Sequence, residues 1–288
     1  MDATELALAL QLCRGIGSNT TTRALMRNQL LGYKAEGFCE LNEATLVEEF
    51  KFTKTAANNW VANRTQLVSK AKELKSDLAK RGVRVASTMD ALYPYSLEKF
   101  LDSPPALLFL YGNMRLLNTK TFAVMSSRKS PMAYLEQIEK LAEEGIEHSE
   151  VLVAGHDTKE YQRAAIVPLR WGSPRILVLD MGMFAALGEN LDDEPFRTAR
   201  LWRYKFDPQT DLVVSAINPV WTTHPAANSK RDGLIAGLAQ RIDFAQVREG
   251  GNMDQLLQRA LEVGKPVRVS DLNLQASEYR RKGAALIA

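Results

Sequence analysis

From about Val83 onward the chain alternates short apolar runs of strand length with amphipathic runs of helical length, and this alternation limits the fold more than any other feature. The strand-like runs are VRVAS (83–87), PALLFLYG (105–112), TFAVM (121–125), EVLVAG (150–155), RILVLDMG (175–182), DLVVSAI (211–217) and DFAQV (243–247). The helical runs between them are PMAYLEQIEKLAEEG (131–145), with Gly145 expected to stop it, DTKEYQRAAIVPLRWG (157–172) and SKRDGLIAGLAQR (229–241). In the last unit, NMDQLLQRALEVGKPVRV, Asn252 is the expected cap. Met253, Leu256, Leu257, Ala260 and Leu261 share one face, Gly264 ends the helix, and PVRV returns as a strand. Strands that are apolar throughout are buried on both faces. Repeated β-α-β units of such strands give an α/β fold with a mostly parallel sheet and helices on both faces.

Residues 1–86 follow another pattern and are read as a small, separate all-helical domain, with the α/β domain covering 87–288. An apolar helix over Ala3–Cys13 runs into RGIGSN. Ser18 or Asn19 is the expected cap of a second helix, and a long helix follows over about 55–80 with Leu67, Ala71, Leu74 and Leu78 on one face. Helix, GIG turn and helix make a helix-hairpin-helix pattern, whose glycines bring backbone amides to a DNA phosphate. An ordinary helical hairpin with a glycine turn has the same letters. Charge is uneven here: Lys51–Arg84 holds nine cations against Glu73 and Asp77, whereas Glu36–Glu49 holds five glutamates and no cation. Such a segment can present a basic face to a polyanion or be a solvated helix face.

The 288 residues are 45% hydrophobic, enough for a full core. No apolar run approaches the roughly 18–20 residues that cross a membrane, and the acidic N-terminus lacks the basic region of a signal peptide. A cytoplasmic protein without a membrane partner is expected. Cys13 and Cys39 are too few for a disulfide framework, and His148, His156 and His224 are scattered without metal-ligand spacing. No metal or organic cofactor is expected.

In an open parallel sheet, ligands bind beyond the carboxyl ends of the strands. That rule selects the loops at 126–130, 155–159, 181–184, 217–221 and 248–252. The stretch TFAVMSSRKSP is a strand, a polar turn and a Pro131 that opens a helix, yet the turn lacks the glycines of a phosphate loop. Ser126 and Ser127 offer hydroxyls and amides there, and Arg128 and Lys129 offer charge. Gly250, Gly251 and Asn252 stand at a helix start that favours an anion, and Lys230 and Arg231 at another. Ser127, Arg128, Gly155 and Gly251 are expected to line one cleft. Arg128, Lys129, Lys230 and Arg231 are expected to be exposed phosphate contacts, replaceable without harm to the fold. Trp171 and Trp202 read as core and Trp221 as an exposed base-stacker. His156, Asp157 and Glu249 also reach this edge, but nothing pairs them with a nucleophile, so no catalytic residue is named.

The order of these motifs resembles the DprA/Smf family of DNA-processing proteins. LALQLCRGIGSNTTTRAL is similar to the family's N-terminal L…L…GIG…L segment, and LYPYSLEKFLDSPPALLFLYGN (92–113) to its YP..L….D.P..L…GN. AVMSSRKS, VLVAGHDTKEYQRAA, DLVVSAINP, SKRDGLIAGLA and EGGNMDQLLQRALEVGKPVRV fall on further family motifs, so the resemblance covers nearly the whole chain. It implies an extended Rossmann-like domain behind a helix-hairpin-helix or SAM-like domain, and single-stranded DNA bound in a basic pocket. The partners it implies are that DNA, a RecA-type recombinase loaded on it, and a second copy of the chain in a homodimer. Ser127 and Arg128 match the family's SR, Arg231 the first arginine of RNR, Gly155 the glycine of SG, and Gly251 the glycine of SGSL.

The chain departs from the family at several points. Ser126 stands where the family has glycine in GSR, and Asp232 and Gly233 follow Arg231 where it has NR. Lys159, Glu160 and Tyr161 lie near the missing GID. Ala216 replaces the glutamate of SE, and Asn252 and Met253 replace SL. The family's C-terminal winged helix has no counterpart before Ala288. The expected function is therefore non-enzymatic binding of single-stranded DNA. The alternative is a Rossmann-type enzyme or sensor for a free nucleotide, similar to the phosphoribohydrolases, whose PGGxGT loop is only partly matched by EGGNMD. A role purely in partner binding is a third.

Overall fold

The structure, a computed structural model, describes residues 1–222 and 227–287; His224 lies outside them. Two compact units are present, Met1–Tyr93 with Ser103–Phe109, and Pro94–Asp102 with Leu110–Ala288.

The first unit contains α1 (Ala3–Leu12), α2 (Ser18–Leu30), α3 (Ala35–Glu40), α4 (Glu43–Glu48), α5 (Lys54–Lys80) and β1 (Arg84–Ser87). Asp2 and Glu5 form a capping box at the start of α1, and the Thr53 hydroxyl caps α5. Gly17, not Ser18 or Asn19, is the cap of α2, because the Ser18 hydroxyl accepts the Ala106 N–H instead. The fully buried Trp60 of α5 packs against Phe38, whose ring also meets Phe50 edge-on at 5.0 Å.

In the second unit α6 (Tyr95–Phe100) precedes the last residues of β2 (Leu107–Gly112). Then come β3 (Thr121–Met125), α7 (Met132–Glu147), β4 (Val151–Ala154), α8 (Lys159–Ala165), α9 (Val167–Trp171), β5 (Arg175–Val178) and α10 (Met183–Leu187). They are followed by β6 (Leu212–Ser215), α11 (Ala227–Leu238), β7 (Arg241–Phe244), α12 (Asn252–Glu262), β8 (Val267–Ser270), α13 (Ala276–Arg281) and β9 (Ala285–Ile287). The nine described strands lie in the order β1-β2-β6-β5-β4-β3-β7-β8-β9. Every pairing from β6 to β9 is parallel. This is the α/β architecture expected from the apolar strands: all five residues of β3 and all four of β4, β5 and β6 are buried.

From β3 the chain builds outward through β4, β5 and β6, then returns to the other side of β3 for β7, β8 and β9. The reversal therefore falls between β3 and β7. Connections leave these two strands in opposite directions, which opens a crevice at their carboxyl ends.

Several expected boundaries shift for identifiable reasons. Gly145 does not stop α7, which continues to Glu147. A Cβ at Gly145 would come within 2.1 Å of the Phe122 ring of β3, so this glycine is where helix and strand touch; Ser149, at φ 60°, takes the left-handed turn instead. The single helix expected over 157–172 is two, α8 and α9, with Pro168 in the first turn of the second. Asn252 is the first residue of α12 and Gly251 its cap. Trp171 and Trp202 are not core: they are 50% and 53% exposed.

Gly145→Ala would normally gain about 1 kcal/mol in helix propensity. Here the expected outcome is a net loss of about 1–3 kcal/mol from overpacking against Phe122, read as a lower urea midpoint at unchanged slope.

Candidate nucleic-acid interface

Two serines close the crevice between β3 and β7. The Ser127 N–H donates to the Gln246 carbonyl at 2.8 Å, and its hydroxyl accepts the Arg248 N–H at 3.1 Å. The Ser126 hydroxyl accepts the Gln246 N–H at 3.2 Å. These bonds continue the ladder of β3 and β7 past their ends. Ser130 shapes the turn: its N–H donates to the buried Glu160 at 2.9 Å and its hydroxyl to the Ser127 carbonyl at 2.7 Å. Lys129 takes a left-handed φ of 59°. Ser127 was expected to offer its amide to a phosphate, but that amide is engaged within the protein. The glycine-free turn is a brace between strands, and it leaves Arg128 and Lys129 exposed.

Beyond the brace runs a chain of charge. One Nη of Arg128 lies 3.4 Å from Oδ2 of Asp157, and Oδ1 of the same carboxylate is bonded to Arg231 Nη1. Arg231 Nε donates to Asp232 Oδ1 at 2.7 Å. Asp232 also accepts the Tyr161 hydroxyl and the Asn252 side-chain amide, each at 2.7 Å. The Arg231 guanidinium sits over the Tyr161 ring, 4.7 Å from its centroid. A Cβ on Gly155 would fall 2.9 Å from the Tyr161 ring and 3.0 Å from Arg231 Cδ, so Gly155 makes room for this stack. The loops after β3 and β4 and the starts of α11 and α12 are thus joined through one network.

Arg231 was expected to be an exposed phosphate contact. It is 1% exposed. Burial pushes its guanidinium pKa down, and Asp232 pulls it back. The Tyr161 hydroxyl is held well above the usual phenol range by burial first and by Asp232 second. Buried charges persist only when paired and hydrogen-bonded, which is what Asp157 and Asp232 provide. Sequence reasoning placed Asp157 at this edge and Asp232 beside Arg231 but gave neither a role. The available signal was an acidic residue where a resembling family carries none.

The other candidate residues divide. Lys230 is exposed at the start of α11, next to Arg231 in the chain. Arg248, not singled out from sequence, is exposed on the loop after β7. The Gly250 N–H is held by the Asp254 carboxylate and the Gly251 N–H by the Arg248 carbonyl. Trp221 is exposed, and its carbonyl accepts the Gly182 N–H. His156, 5% exposed, places Nε2 3.2 Å from Asp180 Oδ1 without the angle of a good hydrogen bond. The imidazole beside it holds the Asp180 carboxyl below the ordinary range. Among the described residues no group of three His, Cys, Asp or Glu side chains gathers as a metal site.

A family model described as DNA recombination-mediator protein A matches residues 84–287. The DNA processing protein DprA of Streptococcus pneumoniae (strain ATCC BAA-255 / R6) is 28% identical over 181 residues. That alignment takes in 63% of this chain and 60% of the curated relative, so less than two thirds of the relative's length is spanned. The X-ray structure of DNA processing protein A from Streptococcus pneumoniae superposes with a TM-score of 0.69 at 20% identity, covering 98% of this chain and 92% of that one. A structure of DNA processing protein A from Helicobacter pylori, described by its single-stranded DNA binding mode, superposes with a TM-score of 0.54 at 18% identity, covering 71% and 91%. At these identities the superpositions speak for the fold, which is the one expected from the sequence.

The two arginines matched to family motifs differ in what they do for stability. Arg231→Ala should destabilise the protein by about 3–5 kcal/mol, because it removes the cation paired with the buried Asp232. Arg128→Ala should stay within about 0.5 kcal/mol, as an exposed substitution. Paired urea titrations read the difference.

Proposed function

Because the chain belongs to the DNA recombination-mediator protein A family, we propose that it binds single-stranded DNA without catalysis along the carboxyl edge of its parallel sheet. The observation that carries this reading is the set of exposed cations there: Arg128 and Lys129 after β3, Arg248 after β7, and Lys230 at the start of α11. They stand in loops and at a helix start that follow the sheet's strands, on the side where open α/β sheets take their ligands.

The chemistry suits a polynucleotide backbone better than a cradled pyrophosphate. Close wrapping needs free backbone amides at the turn, and those of Ser127, Gly250 and Gly251 are engaged. Side-chain cations reach phosphates without them. Trp221 adds a ring on which a base can stack. In this reading Arg231, paired with Asp232 and stacked on Tyr161, forms the floor beneath Arg128. The same reading includes protection of the strand, loading of a RecA-type recombinase on it, a homodimer, and work in the cytoplasm. No described helix is long and apolar enough to cross a membrane.

Arg128→Ala and Lys230→Ala should each weaken binding to all single-stranded sequences alike. Each should also lower the slope of log affinity against log salt by about 0.7. Electrophoretic shifts with single- and double-stranded DNA across a salt series test this. Unchanged affinity and slope in the folded variants remove these residues from the interface. Binding of a free nucleotide without binding of single-stranded DNA replaces the reading with the enzyme-or-sensor alternative.

A further inference from the structure

We propose that Asp157 is a detachable internal substitute for a DNA phosphate, holding Arg128 and Arg231 until a backbone phosphodiester displaces it, and so sets the affinity and selectivity of the site. The proposal rests on the single-stranded DNA reading above.

The two carboxylates of the network are held very differently. Asp232 accepts three donors from three elements, Tyr161, Arg231 and Asn252, each at 2.7 Å. Among the described residues the Asp157 carboxylate is bonded only to the two arginines. It sits in the irregular turn after β4, and its side chain is 18% exposed. Its contact with Arg128 is long, at 3.4 Å, and that arginine's side chain is 55% exposed. Loss of Asp157 from the pair therefore leaves Arg231 neutralised by Asp232 and strands no buried charge. Asp232 cannot leave without releasing the buried Tyr161 and Arg231 and the Asn252 amide together.

A carboxylate bridging two guanidinium groups presents the charge and paired oxygens that a phosphodiester would bring to the same place. Its tether gives it a high effective concentration at the arginines. A lone phosphate must displace it in order to bind at all. A strand already held by Lys129, Lys230 and Arg248 needs only one further contact to do so. The carboxylate thus favours a polyanion over a mononucleotide. It also lowers the number of solution counterions released on binding, because part of the site carries its own anion.

The test measures fluorescence anisotropy of labelled dT20, and competition by thymidine monophosphate, for the wild type, Asp157→Asn and Asp157→Ser. The two substitutions differ in bulk, so that one folded variant suffices. Glu147→Gln, at the far end of α7, controls for the loss of one exposed negative charge. Asp157→Asn should bind dT20 about tenfold tighter, the effect of freeing a charge-assisted contact. Its salt slope should be steeper by about 0.7, and competition by the mononucleotide should improve at least as much. Glu147→Gln should change little. If the wild type binds dT20 and the Asp157 variants bind it equally or more weakly, Asp157 is a positioning group and the proposal is overturned while the DNA reading stands. If none of the proteins binds dT20, the DNA reading falls and takes the proposal with it.

Discussion

The pairing of β3 with β4 on one side and β7 on the other is the constraint from which the rest of this protein follows. Phe122 lies in register with Leu152 of β4 and with Arg241 of β7, and Met125 with Phe244. A central strand of this kind forces the chain to build outward twice, and the reversal opens the crevice. The same pairing decides what the crevice can do. The β3–β7 ladder does not stop with the strands; Met125, Ser126 and Ser127 carry it on through Ala245, Gln246 and Arg248. Backbone groups that would face an anion in a glycine-rich turn are used in sheet extension. What this edge leaves exposed is side-chain charge, on Arg128, Lys129 and Arg248, in place of a fixed main-chain cradle.

Separable charges near a core need management, and the second unit manages them repeatedly in one way. Arg175, fully buried at the start of β5, is held by Asp211 and Glu194. Arg268 of β8 is held by Asp243 and Glu144, which raise its already high pKa. Arg231 is held by Asp157 and Asp232. Each arginine carries two carboxylates from different parts of the chain, so each also pins the segments that supply them. Of these three sets, the Arg231 set is the one joined through Asp157 to an exposed second arginine, Arg128.

The first unit rests on a different principle. Its helices are short apart from α5, and isolated helices of that length are marginal in water. Burial of Phe38, Phe50, Phe52 and Trp60 against one another makes the unit cohere. Its lysine-rich helix is partly self-neutralised: Lys75 reaches Asp2 and Glu5, and Lys80 reaches Asp77.

Periodicity and composition by themselves determined the α/β class, the parallel sheet, most helices and the loops that follow the strands. These are local properties: an apolar run of five residues is a buried strand wherever it pairs. Arg128 was legible as an exposed cation for the same reason, since a charged residue in a turn directly after a strand has solvent beside it. What only the tertiary structure decided is which partner each charge meets. Arg231 and Asp157 are far apart in the chain, and nothing near Arg231 announces that its guanidinium turns inward onto Tyr161. Gly145 resembled a helix stop until the Phe122 ring was found against it. Trp171 and Trp202 have the size of core residues, yet they face outward. Burial and charge pairing are non-local quantities, set when separate loops converge on one sheet edge, and a linear pattern carries no measure of that convergence.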